Sequence, residues 1–134
     1  MKNIKAIIGR ASDGFYSIHC VDEMFSGGGN TPTEAKADMI EQMKFFKETA
    51  MEDGFEYPAF LDNDFKIEYQ FDVQSLLEYY SGILTLAGME KITGIHQKQL
   101  WSYLNKKTKP RPRQVERIKK GLHELGVELT AISL

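Results

Sequence analysis

The hydrophobic period of this chain changes once, at Asp72, and that change limits what it can fold into. Phe65, Ile67, Tyr69 and Phe71 alternate strictly with Lys66, Glu68 and Gln70, the pattern of a half-buried strand. Beyond Asp72, Val73, Leu76, Leu77 and Tyr80 recur at helical spacing, and helical spacing continues through Leu125. Two modules follow, residues 1–72 and residues 73–134. Charge divides the same way. Residues 1–73 carry seven Lys/Arg against fourteen Asp/Glu, a net of −7, whereas residues 74–134 carry ten against five, a net of +5. An acidic half and a basic half imply different partners.

The first module reads as β-β-β-α-β. Ile4–Arg10 is a short apolar run, Asp13-Gly14 is a two-residue turn signal, and Phe15–Cys20 alternates again, which predicts a hairpin. Phe25–Gly29 is a candidate third strand, weakened by three consecutive glycines. Thr31-Pro32-Thr33-Glu34 is a capping box with proline at the first helical position. Ala35, Met39, Met43, Phe46 and Ala50 then form one apolar stripe, predicting an amphipathic helix that ends before Gly54. Such a stripe is ordinary core packing rather than a cofactor site. Residues 53–64 read as irregular, and the strand Phe65–Phe71 closes the module.

The second module contains the stretch richest in chemistry, Leu84–Arg113. It reads as helix, tight turn at Gly94, second helix and basic exit, the layout of a DNA-binding helix-turn-helix. Met89, Ile92, Ile95, Leu100, Tyr103 and Leu104 supply the buried positions. Between them the second helix presents Gln97, Lys98, Trp101, Ser102 and Asn105, with His96 opening it as a cap or phosphate ligand. Gln and Lys can bond to base edges or phosphates in a major groove. Trp101 fits either a thymine methyl or sugar contact or packing against the last helix. Lys106, Lys107, Lys109, Arg111 and Arg113 then form a cationic run suited to the phosphate backbone. Glu90 stands where such motifs usually hold a small residue, an awkward charge against the partner helix. Val115, Ile118, Leu122 and Leu125 predict a last helix closed by Gly126, and Val127–Leu134 reads as a strand-like tail and candidate dimer contact.

Composition narrows the remaining classes. With 134 residues, 42% apolar and 27% charged, the chain is expected to be globular. No apolar run approaches the roughly 20 residues that span a bilayer, and the N-terminal stretch is too short for a signal peptide. The lone Cys20 fits a reducing compartment, so the expectation is cytoplasmic, with Cys20 a small buried residue. His19, Asp13, Asp22 and Glu23 cluster in sequence, but Asp13 and Asp22 flank one strand at opposite ends, too far apart to share a metal. The expectation is no catalytic residues, no metal, no cofactor and no enzyme activity.

Phe25-Ser26-Gly27-Gly28-Gly29-Asn30-Thr31-Pro32-Thr33-Glu34-Ala35, a Gly-rich turn running into Thr-x-x-Glu-Ala and a helix after a hairpin, resembles the HicB antitoxins of toxin–antitoxin systems. The resemblance covers essentially the whole chain, although His19–Met24 replaces the Pro-Asp-x-Pro-Gly segment common before the turn. It implies an α+β chain whose first module is similar to a partial RNase H fold and whose second carries the helix-turn-helix. It also implies an antitoxin that masks a small basic, mRNA-cleaving HicA-like toxin and represses its own operon by binding operator DNA. Paired half-sites would require a homodimer or higher oligomer. The alternative is a stand-alone helix-turn-helix regulator whose first module binds a ligand or oligomerises; an RNase H-like nuclease ranks last.

Overall fold

A computed structural model describes all of residues 1–134, and the chain divides into two compact units, Met1–Asp72 and Val73–Leu134. The class is α+β. Unit 1 is built from β1 (Lys2–Arg10), β2 (Tyr16–Cys20), β3 (Ser26–Gly29), α1 (Pro32–Asp53), a short 3-10 turn at Ala59–Asp62, and β4 (Phe65–Phe71). The strands form one mixed sheet in the order β3-β2-β1-β4. β1 pairs antiparallel with β2 and parallel with β4, with Ile8 opposite Ile18 on one side and Phe71 on the other. A parallel pair needs a long crossover, and α1 supplies it. The helix lays Ala35, Met39, Met43 and Ala50 on the face of the sheet carrying Ile4, Ala6, Ile8, Tyr16, Ile18 and Cys20, all of them buried. Phe25, Phe46, Phe60 and Phe65 continue this core as edge-to-face pairs with centroids 5.2–6.1 Å apart.

The start and end of α1 follow from local chemistry. Thr31 Oγ1 accepts from the Glu34 amide at 3.1 Å, and Glu34 Oε2 reaches back to the Asn30 amide at 2.8 Å. Gly54, with φ +73°, ends the helix, and the Phe55 amide returns to the Ala50 carbonyl. The three glycines do form β3, because this strand needs bare backbone on both faces. A Cβ on Gly27 would stand 2.5 Å from the Met39 nitrogen, and one on Gly29 would stand 2.6 Å from Glu34 Cβ. On the opposite face, a Cβ on Gly28 would meet the Phe15 ring at 2.5 Å.

Unit 2 is all helical: α2 (Val73–Tyr79), α3 (Leu86–Thr93), α4 (Gln97–Leu104) and α5 (Pro112–Thr130). Leu77, Met89, Ile95, Leu100, Tyr103 and Ile118 are its buried core, with Val73, Leu84, Ile92 and Leu122 packed around them. Two expectations about its end are overturned. Gly126 does not close α5, and Val127–Leu134 is not a strand: the helix runs to Thr130, and the remaining residues have no regular structure. Gly126 is not among the glycines with positive φ, so it serves as an ordinary helical residue. Leu125 and Leu129 prolong the Ile118/Leu122 stripe, and a helix already propagating for several turns overrides the β preference of Val127, Thr130 and Ile132. No helix of the chain is long and apolar enough to cross a membrane.

Candidate nucleic-acid interface

α3 and α4 are joined by the turn Gly94-Ile95-His96, and the residues that hold this turn determine how α4 is presented. Thr85 caps α3 by accepting from the Gly88 amide at 3.0 Å. Gly94 ends α3 with φ +73°, a left-handed conformation that a β-carbon disfavours. Thr93, buried beneath the turn, donates to the Met89 carbonyl at 2.7 Å and accepts from the Ile95 amide at 3.1 Å. Ile95 and Leu100 then fill the space between the helices.

Glu90 is the surprise of the turn. Its Oε1 accepts from the Gln97 amide at 3.0 Å, so the charge that looked awkward against a partner helix satisfies an open donor at the N-terminus of α4. A carboxylate is also favoured there by the helix dipole. His96 is the N-cap of the same helix, its Nδ1 accepting from the Lys98 amide at 3.1 Å, which puts the proton of the neutral ring on Nε2. From the other side, Arg117 of α5 donates to the Gly94 carbonyl at 2.8 Å and to Gln114 at 3.1 Å. Sequence reasoning found neither the Glu90 contact nor the Arg117 contact; both join residues that no motif pairs.

The exposed face of α4 carries His96, Gln97, Lys98 and Trp101, with Ser102 partly covered beside them. Trp101 is 50% exposed, so it is not a core residue of this unit. Lying one turn after Gln97, it shares that residue's face. Two of the residues expected at the interface also make internal bonds. Asn105 is the C-cap of α4, its amide donating to the Trp101 carbonyl at 2.9 Å. The Ser102 hydroxyl lies 2.9 Å from that of Thr108, which also accepts from Gln99 at 3.4 Å, and this pins the basic loop to the helix.

That loop leaves α4 in an unusual way. The Lys107 amide bonds the Ser102 carbonyl and the Lys106 amide bonds the Tyr103 carbonyl, a Schellman closure in which glycine normally takes the left-handed position. Here that position is Lys106, the one non-glycine residue with positive φ, at +57°. Lys107, Lys109, Arg111 and Arg113 follow, all exposed. Arg111 is the N-cap of α5 but gives no side-chain cap; Pro112 opens the helix, and no acidic residue stands in its first turn. Two arginines around an uncapped helix N-terminus oppose the dipole, an arrangement that an anion such as a phosphate would relieve.

Lys106→Gly is expected to stabilise unit 2. A left-handed conformation costs about 1–2 kcal/mol with a β-carbon, and glycine gives back roughly half of that gain in chain entropy. A rise in melting temperature of a few degrees, read by circular dichroism, is the expected outcome; a fall would show that the loop does not hold Lys106 in strain.

In unit 1, Asp62 accepts from the Tyr57 hydroxyl at 2.9 Å and pairs with Lys47 at 2.9 Å, a surface cluster that ties the 3-10 turn to α1. No group of three or more His, Cys, Asp or Glu side chains lies close enough to hold a metal ion. Cys20 is buried, and burial, followed by the charge of Glu23, pushes its thiol above the usual range, away from a reactive thiolate. Comparison with known proteins adds no relative: no protein-family model, no curated protein and no solved structure matches the chain.

Proposed function

We propose that this chain is a HicB-like antitoxin and autorepressor: unit 2 binds operator DNA, and unit 1 binds a small basic toxin. The observation that carries the DNA half is the position of α4. Its termini are fixed by Glu90, His96 and Asn105, its exposed face carries Gln97, Lys98 and Trp101, and it runs directly into a loop of four cations with a fifth, Arg113, in the first turn of α5. In this reading Gln97 and Lys98 meet base edges in the major groove, Trp101 takes an apolar contact with a thymine methyl or sugar, and Lys106, Lys107, Lys109, Arg111 and Arg113 neutralise phosphates. His96 supports Lys98 through its cap, and Ser102 and Asn105 act by positioning the loop and the helix end. Two copies on paired half-sites complete the repressor. The acidic balance of residues 1–73 supports the toxin half, since a basic RNA-cleaving partner is attracted to it and DNA is repelled.

The test is fluorescence anisotropy with duplexes from the region upstream of the protein's own coding sequence, compared with scrambled duplexes across a salt series. Selective binding, weakened by salt, is expected; equal affinity for both duplexes would remove the repressor reading. Gln97→Ala should relax preference at one or two base pairs by about 1–3 kcal/mol each and leave the salt dependence unchanged. Selection from a randomised duplex library reads this directly, and an unaltered preference would mean that α4 does not dock through Gln97.

A further inference from the structure

Unit 1 carries an apolar groove of about 880 Å³ between β3 and α1, which none of the motifs anticipated. Phe15, Met24, Phe45 and Phe55 come to it from four separate segments, and the last three are 67–70% exposed. Large apolar side chains gathered this way on a polar surface mark a binding face. Gly54 makes the gathering possible by turning the chain so that Phe55 follows α1 at the groove's end.

Two features of the walls select the occupant. The first is charge. Asp38 lines the groove, and the exposed Glu41, Glu48 and Glu52, outside the lining itself, stand four before, three after and seven after Phe45 along α1, within reach of its side of the helix. Of the three α1 lysines, Lys36 lies over the Tyr69 ring of β4 and Lys47 bonds the Leu61 carbonyl and Asp62, while the exposed Lys44 stands three after Glu41 and four before Glu48. Beside the groove, this side of α1 therefore carries four carboxylates to one lysine, an acidic excess on an acidic module. The second feature is the strand edge. β3 is the outer strand on this side, and Asp38 Oδ2 accepts from its Gly28 amide at 2.9 Å. A donor that an added strand would need is thus already taken, on a strand of only four residues.

We infer that this groove receives a basic amphipathic helix from a partner protein, with apolar anchors at i, i+3 or i+4 and i+7 on the aromatic floor and Lys or Arg against Glu41, Glu48 and Glu52. A helix satisfies its own backbone and needs nothing from the blocked edge. A second copy of this chain is disfavoured because it would bring two acidic faces together. The inference rests on the partner half of the function proposed above and is independent of the DNA half.

The test uses the full-length protein and a displayed library of random peptides of roughly 18 residues, about five helical turns. The comparison is Phe45→Ser/Phe55→Ser, two exposed positions whose replacement leaves the core intact. The expected binders are basic, repeat apolar residues at helical spacing, lose about tenfold or more in affinity on the double variant, and weaken on Glu41→Lys/Glu48→Lys. Peptides that bind the double variant equally, that are acidic or lack helical periodicity, or an empty selection would overturn the inference. So would self-association in sedimentation that the double variant abolishes, because the occupant would then be a second copy. A toxin that co-purifies equally with the double variant would sink the groove and leave the antitoxin standing. Basic helical binders with no toxin in the host would do the reverse.

Discussion

Replacing Gly121 with alanine should destabilise unit 2 by about 2–3 kcal/mol, at the upper end of what overpacking costs. α5 crosses α3 so closely at this point that a Cβ would stand 2.4 Å from the Ile92 carbonyl oxygen and 2.9 Å from its carbon. Both are backbone atoms of α3, so no side chain can rotate away, and the helices must separate. Separation moves Arg117 from the Gly94 carbonyl and loosens the Ile118 contact with the core. For a unit of this size the melting temperature should fall by roughly 10–20 °C, and under the function proposed above operator binding should weaken with it. Gly126→Ala is the control. A Cβ there meets nothing within 4 Å, and alanine is the better helix former by about 0.5–1 kcal/mol, so unit 2 should become slightly more stable. Thermal and urea melts of the two variants measure the contrast; equal stabilities would mean that α3 and α5 are not in backbone contact at Gly121.

If unit 2 binds DNA as proposed, the second large effect is expected in its affinity. Removing three loop cations together, as Lys106→Gly, Lys107→Ala and Lys109→Ala, should lower affinity roughly 10²–10³-fold near 0.1 M salt, since each neutralised phosphate contributes a factor of about eight there. The slope of log affinity against log salt should become shallower by about 2.7. The loss should be the same on operator and scrambled duplexes, because phosphates carry no sequence information. Glycine at position 106 relaxes the left-handed backbone, so a drop in affinity cannot be ascribed to unfolding. Anisotropy titrations at several salt concentrations test this, and an unchanged slope would take the loop out of the interface. The combination also bears on why the strain exists. A lysine kept where glycine is easier is expected where the charge matters more than the stability.

What could be read from the sequence was local. The Thr31-Pro32-Glu34 box, the Asp13-Gly14 turn and the strict alternation of Phe65–Phe71 each specify an element within a few residues, and each element formed. The tail failed for the complementary reason. Val127–Leu134 is β-prone by composition, but a helix that begins at Pro112 carries through Thr130. Gly126 resembles a helix stop in sequence, yet the glycines that end helices here are those with a left-handed backbone, Gly54 and Gly94. Of the nominated interface residues, Gln97, Lys98 and Trp101 come to one exposed face, whereas Asn105 and Ser102 turn to the helix end and the loop. Polar type at helical spacing cannot separate an outward amide from a capping one. Glu90, Arg117 and Gly121 were illegible as parts of the site because their partners, Gln97, Gly94 and Ile92, become neighbours only once the helices pack. The groove was hidden for the same reason, its aromatic residues lying on four segments.

The double tether of the turn, Glu90 beneath one end of α4 and Arg117 on the Gly94 carbonyl, has a kinetic consequence. A reading helix held this way before it meets DNA has little left to order on arrival. In the function proposed here its encounter is the docking of two rigid bodies, with a rate governed by diffusion and charge steering, and discrimination between sites appears in how long the complex lasts. Stopped-flow association should then be fast and salt-sensitive but nearly blind to sequence, and the heat-capacity change of binding should be small because no segment folds.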